Sequence, residues 1–337
     1  MKTHIEKCLS GEHLTVAEAS NALNTIMTGQ ATDSQIAGLM IALRAKGETV
    51  DELVGFARTM REHGVKVSIE DPEAIDMCGT GGDCSGTFNI STVASFVAAG
   101  AGVTVAKHGN RSVSSQSGSA DVLTALGVNV QCSTETVQAC INRIGIGFLF
   151  APLYHPAMKF AAKPRAELGV RSIFNILGPL TNPAGVQRQI IGTYHQRALS
   201  LLAGALRELG VEKGCVVHSD DGLDEVTLSG GTNMQEVNRK EQPREYHLQP
   251  EDFGFSQVSL DGIRGGDKNA NAVITMNVLK GEKGTARDVV VANAALGIYV
   301  SGKVNTILEG KVKAEESINS GKALEKLQKL IQYTDQP

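Results

Sequence analysis

A short apolar run that breaks into a glycine-rich loop and then restarts as a helix leaves a chain few ways to fold. Here the run is Ala74-Ile-Asp-Met-Cys78, and the loop is Cys78-Gly-Thr-Gly-Gly-Asp-Cys-Ser-Gly-Thr87. Asn89 to Gly100 then reads as a helix, and Val103 to Ala106 as a second short apolar run that ends at Lys107. Strand, loop, helix, strand is the βαβ unit of a parallel sheet. Later runs at Gly147–Phe150, Gln189–Tyr194 and Cys215–His218 extend the pattern, with helical stretches such as Gln196–Leu209 between them. The expected class is therefore α/β, with a mostly parallel central sheet. In such sheets ligands bind at the carboxyl ends of the strands. The polar motifs of this chain fall just after strand candidates or at the start of the next helix.

The N-terminal part is patterned differently. Thr15-Val-Ala-Glu18, Thr32-Asp-Ser-Gln35 and Thr49-Val-Asp-Glu52 all have the capping-box form, in which the Thr hydroxyl and the acid or amide satisfy each other's backbone N–H groups. Each box opens an amphipathic run, and the runs stop at Gly29, Gly47 and Gly64, where a helix wants its C-terminal glycine. A small helical domain over residues 1–72 is expected, completed by helices near 165–185. A larger α/β domain over 73–337 is expected to follow.

Composition excludes several classes. Glycine numbers 37 of 337 residues, above the usual share of about 7%. No Gly-X-Y period accompanies it and prolines number only 9, so the excess is not collagen-like. Hydrophobic residues at 42% and charged residues at 20% exclude global disorder. A net charge of −4 offers no general attraction to nucleic acid. The apolar part of the longest uncharged stretch, Asn89 to Ala106, contains Ser, Thr and Gly and falls short of the about 20 strongly apolar residues that span a bilayer. The opening segment, with Glu6 and no apolar stretch, does not read as a signal peptide. Cys8, Cys78, Cys84, Cys132, Cys140 and Cys215 show no CxxC spacing, so free thiols in a reducing cytoplasm are expected.

Several segments carry chemistry. Gly79, Gly81, Gly82 and Gly86 let backbone N–H groups approach an anion ahead of a helix N-terminus, and the same glycines also suit a bare strand-to-helix turn. The loop matches neither common phosphate fingerprint: Cys84 takes the third glycine of GxGxxG, and Thr87-Phe88 replaces the Lys-Ser/Thr of a P-loop. Asn89-Ile-Ser-Thr92 suits helix initiation, and beside the glycine loop its hydroxyls also suit the same anion. Lys107-His-Gly-Asn-Arg-Ser-Val-Ser-Ser115 places two cations and three serines directly after a strand, and small polar residues continue to Ser119. His218-Ser-Asp-Asp-Gly-Leu-Asp-Glu225 puts four carboxylates within six residues; Asp224 and Glu225 are hard oxygen donors of the kind Mg²⁺ takes, or part of a solvated acidic turn. Phe174-Asn-Ile-Leu-Gly-Pro-Leu-Thr-Asn-Pro183 follows Arg165, a side chain suited to forked recognition of a carboxylate or to an exposed helix face. No GxSxG, no HExxH and no Cys–His pair of known spacing is present.

Taken together and in order, CGTGGD (78–83), NIST (89–92), KHGNRSVSS (107–115), SGSAD (117–121), FNILGPLTNP (174–183), HSDDGLDE (218–225) and GGDKNAN (265–271) closely resemble the anthranilate phosphoribosyltransferase family. The resemblance spans nearly the whole chain. It implies a helical domain joined to an α/β domain, with the active site between them and homodimers formed through the helical domain. The implied reaction moves the phosphoribosyl group of phosphoribosyl pyrophosphate to the amine of anthranilate, as the second step of tryptophan biosynthesis. One or two Mg²⁺ per subunit are implied.

By motif, the resemblance assigns Gly79, Gly82, Asp83, Thr87, Asn89, Ile90, Ser91 and Thr92 to the pyrophosphate and ribose. Lys107, His108, Gly109, Asn110, Arg111, Ser112, Val113, Ser114 and Ser115, with Ser119, complete the phosphate sites. Ser91, Asp224 and Glu225 are the implied metal ligands, and Asn110 and Arg165 the residues that position anthranilate, with Gly79 and His108 close enough in sequence to join them. No general base is assigned, because an arylamine is already neutral at pH 7. The family often reads Pro-Val-Arg where this chain reads Lys163-Pro164-Arg165, which sets a proline directly before the arginine. A pyrimidine nucleoside phosphorylase shares the architecture but has little need of Asp224 and Glu225. A nucleic-acid-binding relative would need a basic face that the net charge of −4 disfavours.

Overall fold

The computed structural model describes residues 1–335 apart from 83–84, 113–115 and 240. Helices α1 (Lys2–Leu9), α2 (Val16–Met27), α3 (Asp33–Lys46) and α4 (Val50–His63) open the chain. All three expected capping boxes form, at Thr15–Glu18, Thr32–Gln35 and Thr49–Glu52. Gly47 closes α3 at φ +89 and Gly29 follows α2 at φ +72, a region that costs a side chain. Gly64 is small for another reason. Its backbone is extended, but a Cβ there would meet Met60 O at 3.2 Å and Tyr154 O at 3.3 Å.

The α/β part begins with β1 (Ile75–Gly79), α5 (Ile90–Gly100), β2 (Val105–Gly109), α6 (Ser119–Ala125), α7 (Thr134–Ile144) and β3 (Ile146–Phe150). It continues through α8 (Ala151–Tyr154), α9 (Lys159–Leu168), α10 (Ile173–Leu177), β4 (Arg188–Gly192), α11 (Gln196–Glu208) and β5 (Lys213–Ser219). Strands β6 (Thr232–Asn238) and β7 (Arg244–Leu248) and helices α12 (Lys268–Leu279), α13 (Thr285–Val300), α14 (Ile307–Asn319) and α15 (Lys322–Thr334) complete it.

The sheet runs β3-β2-β1-β4-β5-β6-β7. Neighbours from β3 to β5 are parallel, and β6 and β7 add antiparallel to β5. The expected strands are all present with shifted ends. Strand β2 begins two residues later than its apolar run suggests and continues past Lys107, because Lys107 and His108 stay in register with Phe148 and Leu149 of β3. Strands β6 and β7 have no counterpart among the expected strands. Four of the five residues of β7 are exposed, so its sequence carries no apolar alternation.

Alternating side chains feed apolar clusters on both faces of the sheet. Ile190, Cys215 and Val217 face a core built with α5 and α12 to α15. Ile191 and Val216 face the other, which holds α1 to α4, α11, and Ala161, Ile173, Phe174 and Leu177 from α9 and α10. Residues far along the chain thus pack into the N-terminal helices. Within those helices Lys46 and Glu52 form a buried ion pair at 2.8 Å, side chains 2% and 0% exposed, and Glu52 also accepts from Leu14 N at 2.8 Å. Among the described residues Cys8, Cys78, Cys132, Cys140 and Cys215 are free thiols, and Cys84 lies outside them. No described helix is long and apolar enough to cross a membrane.

Candidate active site

Strands β1, β2, β4 and β5 end on the same edge of the sheet, at Gly79, Gly109, Gly192 and Ser219. The turn after β5 brings the acidic pair onto the loops after β1. Asp224 Oδ2 accepts from Gly81 N at 2.8 Å, and Glu225 Oε1 accepts from Ser91 N at 3.1 Å. Lys107 Nζ lies 3.5 Å from Ser91 Oγ and donates to Met77 O at 2.5 Å. Two glycines make room for Asp224. A Cβ on Gly79 would strike its carboxylate, and one on Gly192 would strike its backbone carbonyl.

Burial and the neighbouring Asp224 charge push the Glu225 carboxyl up to about 8, against the pull of Lys107 and the Ser91 hydrogen bonds. Among the described residues Lys107 is the ammonium that acts on Glu225, and a divalent cation would further favour the charged form of two crowded carboxylates. Among the described residues no third His, Cys, Asp or Glu joins them in a metal cluster. That donor set fits Mg²⁺, which keeps waters and substrate oxygens in its shell. Asp224, Glu225 and the Ser91 hydroxyl are the groups that would hold it.

The glycine loop takes its shape from positive φ at Gly81, Gly82 and Gly86, of +66, +83 and +68. The Gly82 carbonyl accepts from the Arg171 guanidinium, which also stacks 3.8 Å from the Tyr194 ring centre. Arg44 on α3 donates to Arg171 O at 2.5 Å, so the helical domain reaches the loop through Arg171. Thr87 bridges to Arg264, and Gly265 N donates to Gly86 O at 2.8 Å. Asp83 lies outside the described residues, as do Val113, Ser114 and Ser115.

Asn89 sits at the N-cap of α5 but makes no side-chain cap bond. It spans two other segments instead, donating to Ser117 O and accepting from Asn271 Nδ2, both at 3.1 Å. Asn271 in turn accepts from Gly266 N at 2.8 Å. Ile90 and Thr92 are buried in the core beneath, so Ser91 is the one residue of 90–92 seen bonding the acidic pair.

The loop after β2 is tied by Asp121. This carboxylate accepts from Ser112 N at 3.2 Å, Gly118 N at 3.0 Å and Arg111 Nη1 at 2.8 Å. Burial opposes its ionisation, but those bonds outweigh it and hold the carboxyl below its ordinary value. Asn110 O accepts from Ser119 Oγ and Ala120 N, both at 3.2 Å, and Asn110 Oδ1 accepts from Arg111 N at 2.7 Å. A Cβ on Gly109 would meet the Phe148 ring at 2.7 Å.

His108 and Arg165 stand apart from this cluster. Alternation along β2 turns His108 away from Lys107, and its ring meets His155 edge-on at 5.3 Å. Burial, then the His155 and Lys107 charges, lower His108 to about 3, and burial lowers His155 to about 4. Arg165 lies on α9 with its guanidinium 5.4 Å from the Phe174 ring centre, and burial lowers its pKa. Pro164 does not end α9, which runs on to Leu168 and closes at Gly169 with φ +60.

Sequence reasoning left Arg171, Asp121 and Asn271 without roles. The latter two lie in strings already singled out, SGSAD and GGDKNAN, and Asn271 is a polar residue 1% exposed within a helix. Arg171 offered only its place between Arg165 and the Phe174–Pro183 string.

Comparison with known proteins places these features in a family. Residues 71–324 match the α/β domain of a glycosyl transferase family, and residues 2–64 match that family's helical bundle domain. The anthranilate phosphoribosyltransferase of Pelotomaculum thermopropionicum is 51% identical over 99% of this chain and 96% of its own length. That of Syntrophobacter fumaroxidans is 51% identical over 98% of each. The solved anthranilate phosphoribosyltransferase of Thermus thermophilus superposes with a TM-score of 0.94 at 41% identity, covering 99% of both chains. The Saccharomyces cerevisiae enzyme, solved in complex with PRPP and Mg, gives 0.90 at 29% identity, covering 99% of this chain and 97% of that one.

Proposed function

Because the chain belongs to the anthranilate phosphoribosyltransferase family, we propose that it transfers the phosphoribosyl group of 5-phosphoribosyl 1-pyrophosphate to the amine of anthranilate. The products are N-(5-phosphoribosyl)anthranilate and pyrophosphate, and the step is the second of tryptophan biosynthesis from chorismate. One observation carries the reading: Lys107 and Glu225 meet at Ser91, while the adjoining Asp224 holds the Gly81 amide of the glycine loop. That is a cation, a metal-type donor set and loop amides around one small volume.

The chemistry follows from these parts. Breaking the C1–oxygen bond leaves charge on pyrophosphate and an electron-poor sugar. Lys107 and the amides of the loop from Gly79 to Asn89 stabilise the leaving charge. Mg²⁺ held by Ser91, Asp224 and Glu225 would neutralise pyrophosphate oxygens. Thr87, Asn89, Ile90 and Thr92 hold the ribose and pyrophosphate by side chain or backbone, and Gly82 with Asp83 frames them. Gly109, Arg111, Ser112, Val113, Ser114, Ser115 and Ser119 complete the phosphate sites. Arg165 pairs with the anthranilate carboxylate, and Asn110, His108 and Gly79 set the ring's approach. The nucleophile is a neutral arylamine, so orientation rather than a strong base is what it needs.

Residues 1–72 form the helical domain in this reading and 73–337 the α/β domain. Two copies pair through the helical domain; exposed Leu9 and Ile41 on α1 and α3 support that surface, and the enzyme works in the cytoplasm. The test is product analysis. Equimolar phosphoribosylanthranilate and pyrophosphate are expected, dependent on Mg²⁺. Phosphate-dependent release of a free base from pyrimidine nucleosides, without anthranilate consumption, would overturn the reading.

A further inference from the structure

The ladder between β1 and β2 breaks where the site begins. Strand β1 pairs with β4 at five positions and β2 with β3 at five, but β1 pairs with β2 only at Ile75 and Val105. Ile75 N donates to Thr104 O at 2.9 Å. The two-residue step of a parallel ladder would next place Met77 N on Ala106 O and His108 N on Met77 O. Side chains take the partners instead. Ala106 O accepts from Asn182 Nδ2 at 2.8 Å. His108 N donates to Asp76 Oδ1 at 3.1 Å. Met77 O accepts from Lys107 Nζ at 2.5 Å.

Asp76 and Asn182 also hold each other, with Asn182 Nδ2 2.8 Å from Asp76 Oδ2, and Gln189 Nε2 adds a longer contact of 3.4 Å. Asp76 is 0% exposed and Asn182 is 3% exposed. Strand alternation sets Asp76 on the sheet face opposite Lys107, so the opening is bridged from both faces. A closed ladder would satisfy the same backbone groups without burying a carboxylate, which is costly to desolvate. Stability alone therefore gives no reason for the arrangement.

We infer that Asp76 and Asn182 are positioning residues that hold the carboxyl ends of β1 and β2 apart, so that Lys107 reaches Ser91 and the loops after Gly79 and Gly109 are spaced to take the substrate between them. The inference rests on the phosphoribosyl-transfer reading above. Neither residue touches the substrate; both act through the backbone of Ala106 and His108.

The experiment measures kcat and both KM values by anthranilate fluorescence on the full chain with Mg²⁺ and phosphoribosyl pyrophosphate, per folded protein, alongside the unfolding midpoint. Asp76→Asn turns an amide nitrogen toward that of Asn182. Its kcat is expected to fall about tenfold to a hundredfold, the scale of a small misplacement, with KM values near those of the parent. Asn182→Asp sets two carboxylates face to face and is expected to be slower still. The exchange variant Asp76→Asn/Asn182→Asp restores a donor–acceptor pair and is expected to outpace Asn182→Asp alone. If Asp76→Asn does not fold, Asn182→Leu, which keeps the bulk and removes the donor to Ala106 O, carries the same expectation. Folded single variants with parental kcat and only a lowered midpoint would overturn the inference while the functional reading stands. A parent protein that does not consume anthranilate would overturn both.

Discussion

Replacing Gly79 by alanine isolates one atom of the proposed metal site. Gly79 does not occupy the left-handed region, so alanine can adopt its backbone without strain. The new methyl would strike Asp224 Oδ2, with Cγ at 3.0 Å and the Asp224 carbonyl at 3.5 Å. The residue cannot retreat, because its backbone carbonyl is already packed over Gly192. The carboxylate must therefore rotate, and the bond from Gly81 N at 2.8 Å is lost. A hydrogen bond to a charged group contributes about 1.5–3 kcal/mol. If that loss appears as weaker metal binding, the Mg²⁺ needed for half-maximal rate rises roughly tenfold to 150-fold, at about 1.4 kcal/mol per decade. The assay is the initial rate of anthranilate consumption against Mg²⁺ at saturating substrates. Gly230→Ala is the control, since a Cβ there meets nothing within 4 Å. An unchanged Mg²⁺ requirement and unchanged kcat in folded Gly79→Ala would refute the packing argument.

Three further outcomes are expected. Arg165→Ala should raise the anthranilate KM about tenfold or more, the scale of a lost charge-assisted pair, and leave that for phosphoribosyl pyrophosphate nearly unchanged; steady-state kinetics check it, and an unchanged anthranilate KM would contradict the role. His108 and His155 lie at about 3 and about 4 when folded, below the ordinary 6.5. The unfolded chain therefore binds more protons, and their stabilising contribution is full above pH 6.5 and lost as pH falls toward those values. At about 1.36 kcal/mol per pH unit, each histidine should remove about 2 kcal/mol by pH 5; a flat denaturation midpoint between pH 7 and 5 would contradict this. Lys46→Met strands the buried Glu52 carboxylate and should cost about 3–5 kcal/mol in chemical denaturation, so an unchanged midpoint would contradict the ion-pair account.

Local signals were legible wherever one short segment determines its own conformation. The capping boxes at Thr15, Thr32 and Thr49 formed as written, because each bonds within four residues. The strands feeding the sheet centre were visible as apolar runs. Strand β7 was not, because it is an exposed edge strand whose pairing with β6 shows no apolar pattern. Asn89 shows a second limit. Its position suited a helix cap, but Ser117 O and Asn271 compete for its amide, and those partners become neighbours only in the folded chain. Asp76 shows a third: one carboxylate inside an apolar run gave no sign that it replaces a ladder bond, since that depends on where β2 and Asn182 lie.

The central claim is that Asp224 and Glu225, with Lys107, receive the magnesium-bound pyrophosphate of a phosphoribosyl donor whose acceptor is anthranilate. The most direct measurement is anthranilate fluorescence on adding phosphoribosyl pyrophosphate and Mg²⁺, in the parent protein and in Asp224→Asn/Glu225→Gln. With no tryptophan and five tyrosines, the protein adds little to that signal. A Mg²⁺-dependent fall in the parent, absent in the folded double variant, is the predicted result. No fall in the parent, or a near-parental rate in the double variant, would contradict the account.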